Sequence, residues 1–309
     1  MSTRYPLLTM LIQFLAIVLI GFGICFPQVL AQIEIVLAIG LIVLIGIPHG
    51  ATDYLIFQYL SKPFWGTDQL FYFYRNYIAL IGVYSLLWWF APSIAFILFI
   101  ALSIYHFGQS NWNYVQSISK GFRFQLFMSW GSFVLLSPIL IHFEQSKEII
   151  FQITGYQIVD LTYKWHWTII FSTFSLSLIN VIYLLSEQLI DLKQFRNEAF
   201  NLILLLAIYS YTPLLLGFAI YFVFWHSLGS VFDQIRFFKK RIQDYNWKQY
   251  ILHATPLSLV ALLTLASLFI FQQEMGVIVH LSTLFVFISV VTLPHMLLID
   301  QLYEEWEHP

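Results

Sequence analysis

The chain has 309 residues, 60% of them hydrophobic and 10% charged, with a mean hydropathy of +0.78. A soluble domain carries about 25% charged residues, so a soluble globule is excluded. The net charge of −2 argues against nucleic acid or another polyanion as partner. The single cysteine, Cys25, excludes an internal disulfide and any cysteine-built zinc or iron–sulfur centre; its apolar setting reads as a small buried hydrophobe.

A helix needs about 20 predominantly apolar residues to cross a bilayer. The charge-poor runs predict spans at 6–27, 35–58, 70–90, 93–115, 123–143, 166–186, 196–213, 214–235, 255–273 and 278–300. The first, behind Arg4, is longer than a signal-peptide core of about 7–15 residues and lacks a small-x-small cleavage site, so it reads as a span. Two long apolar runs are divided by Ala91-Pro92-Ser93 and by Thr212-Pro213. The 196–235 pair consists of short members joined by a tight turn. Segment 144–164 is the longest outer loop, and Ile149, Ile150, Phe151 and Ile153 suit it to the membrane interface. The expectation is an all-α fold: a polytopic transmembrane helical bundle of about ten spans, residues 1–309 forming one integral membrane domain.

Charge sets the orientation. With ten spans, twelve of the fourteen Lys and Arg fall on one side, among them Arg4, Lys62, Arg75, Lys120, Arg196 and the 236–248 loop. Only Lys147 and Lys164 fall on the other. The positive-inside bias makes the first side cytoplasmic, with both termini. Omitting one span would scramble that separation. The location predicted is a cell (inner or plasma) membrane.

Four of the nine histidines lie inside spans with polar neighbours: His49 in Pro48-His49-Gly50-Ala51-Thr52-Asp53, His106 in His106-Phe107-Gly108, His226 in Trp225-His226-Ser227, and His295 in Leu293-Pro294-His295-Met296. They precede Lys62, Lys120, Arg236 and Glu304 by 13, 14, 10 and 9 residues. At 1.5 Å per residue, the four imidazoles fall within roughly one helical turn of a common level in the cytoplasmic half. A lone intramembrane histidine is often only a hydrogen-bonding group; four at one depth are harder to explain that way. An all-nitrogen set without thiolate suits iron, copper or zinc, not magnesium or calcium. Iron(II) with open positions for O2 is chemically reasonable.

Prolines before His49 and His295 free a carbonyl and favour a kink. Asp53, one turn after His49, either fixes a ring tautomer or caps the span end. His142, His166, His253, His280 and His308 lie away from the common depth. The 31 Phe, 18 Tyr and 10 Trp exceed what interfacial belts need; packing accounts for most, and an aromatic-lined cavity for a long apolar ligand is compatible.

The four histidine blocks, in this order and spread over residues 46–300, resemble the Brp/Blh family of membrane β-carotene 15,15′-dioxygenases. Each block alone is weakly specific; the set is specific. The resemblance implies an iron(II) enzyme that uses O2 to split the central double bond of β-carotene into two all-trans-retinal molecules, the retinal then supplying a microbial rhodopsin. It implies metal ligation by His49, His106 and His226, with His295 matching the last motif. Many members carry a second histidine four residues after the one matching His226; this chain has Ser230 there. His295 then supplies the fourth nitrogen, with a three-histidine set as the alternative. Asp53, Ser227 and Ser230 are the candidate supporting residues. The HxxxH and HxxHH clusters of membrane di-iron desaturases are absent, whereas a haem protein with axial histidines stays open. A reading from another class is a transporter or carotenoid-binding membrane protein with a structural or metal-binding histidine cluster.

Overall fold

The computed structural model describes residues 6–60, 70–115, 118–274 and 281–307. Among these the chain is all helical. In order, α1 is Pro6–Cys25, α2 Pro27–Leu41, α3 Ile47–Gly50, α4 Asp53–Tyr59, α5 Leu70–Phe90, α6 Pro92–Trp112, α7 Lys120–Ile141 and α8 Phe143–Thr154. Then come α9 Tyr163–Ser186, α10 Leu192–Tyr211, α11 Leu214–Ile220, α12 Leu228–Lys239, α13 Trp247–Glu274 and α14 Leu281–Glu307. Two π-helical stretches, Ile42–Gly46 and Tyr221–Ser227, join α2 to α3 and α11 to α12. Eight helical segments among the described residues are long and apolar enough to cross a membrane. Helices α5 and α10 are 21 and 20 residues long. Arg75 and Asn76 in α5, and Lys193, Arg196, Asn197 and Glu198 in α10, keep these two out of that set.

Proline and capping chemistry place the ends. Pro27 and Pro92 open α2 and α6, where a missing N–H costs nothing. The sequence-based boundary at 28–34 does not exist: α2 follows α1 after Phe26 alone. The reason is tertiary, because Glu34 is buried within the helix and accepts the Leu215 N–H at 2.8 Å. Asp191 and Gln194 form a capping box at the start of α10. Thr212 and Pro213 are extended and break the chain as the sequence suggests. Helix α13 starts at Trp247, eight residues ahead of the span proposed at 255–273. Cys25 is exposed at the end of α1, not buried. Arg4, Lys62, His280 and His308 lie outside the described residues.

The chain divides into two compact units. The first comprises Met1–Ile42, Ser103–Lys147 and Val159–Gly229. In it α7 packs on α9, α1 on α10, and α2 on α11. A Cβ at Gly108 would overlap the Phe127 carbonyl, and one at Gly131 would overlap the Ile104 carbonyl. Helices α6 and α7 therefore approach backbone to backbone on either side of His106, the close packing that small residues permit in membranes. Polar side chains in this unit meet each other: Gln13 donates to Asn201 at 3.0 Å, Gln125 to Asn180 at 3.1 Å, and Asn180 to Ser129 at 2.8 Å. Helix α8 buries Phe143 and Ser146 at its start. Lys147 bridges Glu144 at 3.0 Å and Asp160 at 2.6 Å, and its hydrogen bonds to Asp160 and then Glu144 raise its pKa.

The second unit comprises Val43–Leu102, Glu148–Ile158 and Ser230–Pro309. Its core joins Ile56, Phe57, Phe73, Phe237, Phe238, Leu302 and Tyr303. Helix α14 packs on α4 and α5, and α13 packs on α3. Arg241 of the basic loop is not a free surface charge. It lies over the Phe237 ring at 3.8 Å, donates to the Tyr59 carbonyl at the end of α4 at 3.1 Å, and pairs with Glu305.

Candidate functional site

His49 sits on the four-residue helix α3, between the first π-helical stretch and a turn at Ala51-Thr52. Proline at 48 cannot donate to the carbonyl four residues back, and the π stretch Ile42–Gly46 absorbs that lesion. The His49 Nδ1–H donates to the Gly46 carbonyl. His295 lies on α14, whose helix continues through Pro294. The two rings stand edge to face, their centroids 4.8 Å apart, and both are buried. The His295 Nδ1–H donates to Asp53 Oδ1 at 2.8 Å, and the Tyr77 hydroxyl donates to Asp53 Oδ2 at 2.9 Å. Asp53 therefore fixes the ring of His295, on a distant helix, and not that of its sequence neighbour His49. It also opens α4.

The other two histidines form a second pair, within the first unit. His106 on α6 and His226 in the second π-helical stretch have centroids 4.9 Å apart. Phe107 meets His226 edge-on at 4.9 Å and Phe222 stacks on it at 5.5 Å. Both π stretches of the described chain thus lie at a histidine of the candidate set, the placement that makes such bulges a mark of functional sites. Ser227 is fully buried beside His226, and its hydroxyl has no hydrogen-bond partner among the described residues. Ser230, one turn later, accepts from Gln234 Nε2 at 3.2 Å.

Among the described residues, no group of three or more His, Cys, Asp or Glu side chains is arranged to hold a metal ion. The donor chemistry nevertheless fits one. A carbonyl and a carboxylate at Nδ1 put the proton there in His49 and His295 and leave the lone pair on Nε2, which is how metal-binding histidines are oriented. Imidazole donors without thiolate suit a borderline divalent ion such as iron(II). A buried hydroxyl without a protein partner, as at Ser227, is the kind of group that a bound water or ligand satisfies.

The remaining described histidines are engaged elsewhere. His142 Nε2 lies 2.9 Å from the Tyr209 carbonyl, the His166 ring 4.4 Å from that of Phe143, and His253 Nδ1 3.3 Å from the Tyr245 hydroxyl. Sequence reasoning missed Tyr77, Gln234 and Tyr250. Tyr77 is one of 18 tyrosines and carries no positional signal. Gln234 follows Ser230 by one turn and His226 by two, a spacing that would have pointed to it.

Comparison with known proteins bears on the whole chain. Residues 40–303 match the family model described as beta-carotene 15,15'-dioxygenase. A protein of the uncultured marine bacterium 66A03, named beta-carotene 15,15'-dioxygenase, is 28% identical over 269 residues, covering 86% of this chain and 93% of that relative. No solved structure matches. With the family model spanning most of the sequence and all four histidine blocks, the chain belongs to the beta-carotene 15,15'-dioxygenase family.

Proposed function

We propose that this protein is an iron(II)-dependent dioxygenase that cleaves the central 15,15′ double bond of β-carotene with O2, releasing two all-trans-retinal molecules for a microbial rhodopsin. It works as one integral domain of the cell membrane with about ten spans and cytoplasmic ends. Family membership supports the reaction class, and the twelve-to-two charge split supports the topology. The observation that carries the site is the Tyr77–Asp53–His295 chain beside His49. A carboxylate that fixes one nitrogen of a buried imidazole, and so orients the other, is the usual support of a metal-binding histidine.

His49, His106, His226 and His295 form the ligand set in this reading, which rests on their common depth in the sequence. Asp53 and the Gly46 carbonyl hold the ring tautomers. Ser227 supports His226, and Ser230 supports His49 through Gln234. Iron(II) held by these imidazoles would supply the chemistry that activates O2. Phe107 and Phe222 shield His226 from water and offer the apolar surface a polyene needs. β-Carotene partitions into the bilayer, so an intramembrane site meets it without extraction. The reaction balances without a further reductant: the central carbon–carbon bond breaks and each of its carbons takes one oxygen atom, giving two aldehydes.

Expression in a β-carotene-producing bacterium tests the proposal. Loss of orange colour with formation of retinal is expected. His49→Ala and His106→Ala are expected to insert in the membrane and make no retinal. Wild-type yield from either variant would remove the metal-site reading. Carotenoid that co-purifies unconsumed with the wild-type protein would favour binding or transport.

A further inference from the structure

We propose that Gln234 is a positioning residue for the His49 imidazole, acting through the backbone carbonyl of His49 itself. The functional meaning of this role rests on the ligand reading above, whereas its geometry stands alone. A side-chain amide has two acceptor and two donor positions, and Gln234 uses all four. Its Oε1 accepts from the Thr52 hydroxyl at 2.6 Å and from the Tyr250 hydroxyl at 3.0 Å. Its Nε2 donates to the His49 carbonyl at 2.8 Å and to Ser230 Oγ at 3.2 Å. Gln234 and Thr52 are both 0% exposed.

The amide sits where the helix ladder fails. In an unbroken helix, the N–H of residue 53 would satisfy the His49 carbonyl. Helix α3 ends at Gly50, and Asp53 begins a new helix. The carbonyls of Pro48 and His49 therefore need other donors. The Pro48 carbonyl takes the Ala51 N–H at 3.2 Å, and the Tyr250 hydroxyl, whose one proton it shares with Gln234, lies 3.3 Å away. The His49 carbonyl takes Gln234. The bond from His49 Nδ1 to Gly46 holds the ring only against its own chain segment. Gln234 and Tyr250 tie that segment to α12 and α13, so they set where the ring stands. An apolar side chain of the same size would fill the space without holding the carbonyl.

The test uses the full-length, metal-free protein with 15N-labelled histidine in lipid nanodiscs, the His49 signals being assigned with His49→Gln. Wild-type His49 is expected to show a single tautomer protonated at Nδ1. Gln234→Met is expected to shift it toward an averaged tautomer pattern and to lower zinc(II) affinity about 10–100-fold. Tyr250→Phe, a milder change, is expected to act in the same direction and keeps the question answerable if Gln234→Met folds poorly. Asn180→Leu serves as control: it removes another buried amide, one bonded to Ser129 and Gln125, and is expected to lower thermal stability without moving the His49 signals. His49 resonances at their wild-type positions in both Gln234→Met and Tyr250→Phe would overturn the proposal, whatever the loss of stability. Zinc(II) titration of the wild type tests the ligand reading separately, since His49 and His295 signals that ignore the ion would remove that reading alone.

Discussion

Replacing Asp53 by Asn isolates the charge of the residue that orients His295. The carboxylate accepts two hydrogen bonds, from His295 Nδ1 at 2.8 Å and from the Tyr77 hydroxyl at 2.9 Å. Asparagine keeps an acceptor for His295 but turns an NH2 group toward Tyr77. The tyrosine hydroxyl then donates to the Val291 carbonyl, already within 3.4 Å. The number of bonds is nearly kept while the charge is lost. Bonds to charged groups contribute about 1.5–3 kcal/mol and neutral ones about 1 kcal/mol, so the folded state loses about 1–4 kcal/mol over the two bonds, less what removing a buried charge returns. The lone pair on His295 Nε2 becomes less basic, and metal affinity is expected to fall about 10–100-fold, or about 1.4–2.8 kcal/mol. The assay is retinal formed per unit of membrane-inserted protein across an iron(II) titration. Partial activity that added iron restores is the expected result, with Tyr77→Phe showing a loss of under about tenfold. Wild-type iron dependence in Asp53→Asn would refute the orienting role, and activity that no iron concentration restores would make Asp53 a ligand in its own right.

Other outcomes follow from the same geometry. Gly108→Ala is expected to lower the yield of folded protein and its thermal stability by about 1–3 kcal/mol, because the added Cβ meets the Phe127 backbone and not a movable side chain; an unchanged melting temperature would contradict the close approach of α6 and α7. His295→Ala separates the two ligand sets, abolishing retinal formation if four histidines bind iron and leaving measurable turnover if three suffice. His166→Ala is expected to turn over β-carotene like the wild type. Reporter fusions after Lys120, Arg196 and Lys248 are expected to read as cytoplasmic, and a signal from the opposite side at any of them would break the ten-span topology.

Much of this protein was legible without coordinates because its strongest signals are local. Whether a stretch of about 20 residues is apolar enough for a bilayer depends on its own composition, and a proline's missing donor acts on its own helix. The all-helical class, the breaks at Pro92 and Pro213, and the four histidine blocks that carry the family likeness all follow from such signals. Where a polar side chain finds its partner is a different matter, because that partner often lies on another helix, in several cases more than 180 residues away in sequence. Spacing put Asp53 beside His49, yet the carboxylate bonds His295. Composition read Cys25 as buried and 28–34 as a junction, yet Cys25 is exposed and Glu34, buried inside α2, accepts the Leu215 N–H from α11. Spacing sets Gln234 one turn after Ser230, but only the fold shows that its four bonds reach α3, the break after it, α12 and α13. Inside a membrane, nearly every face of a helix is apolar, so the pattern of one segment says little about which face meets which neighbour. Close contacts such as Gly108 against Phe127, and the few hydrogen bonds that buried polar groups require, make that choice.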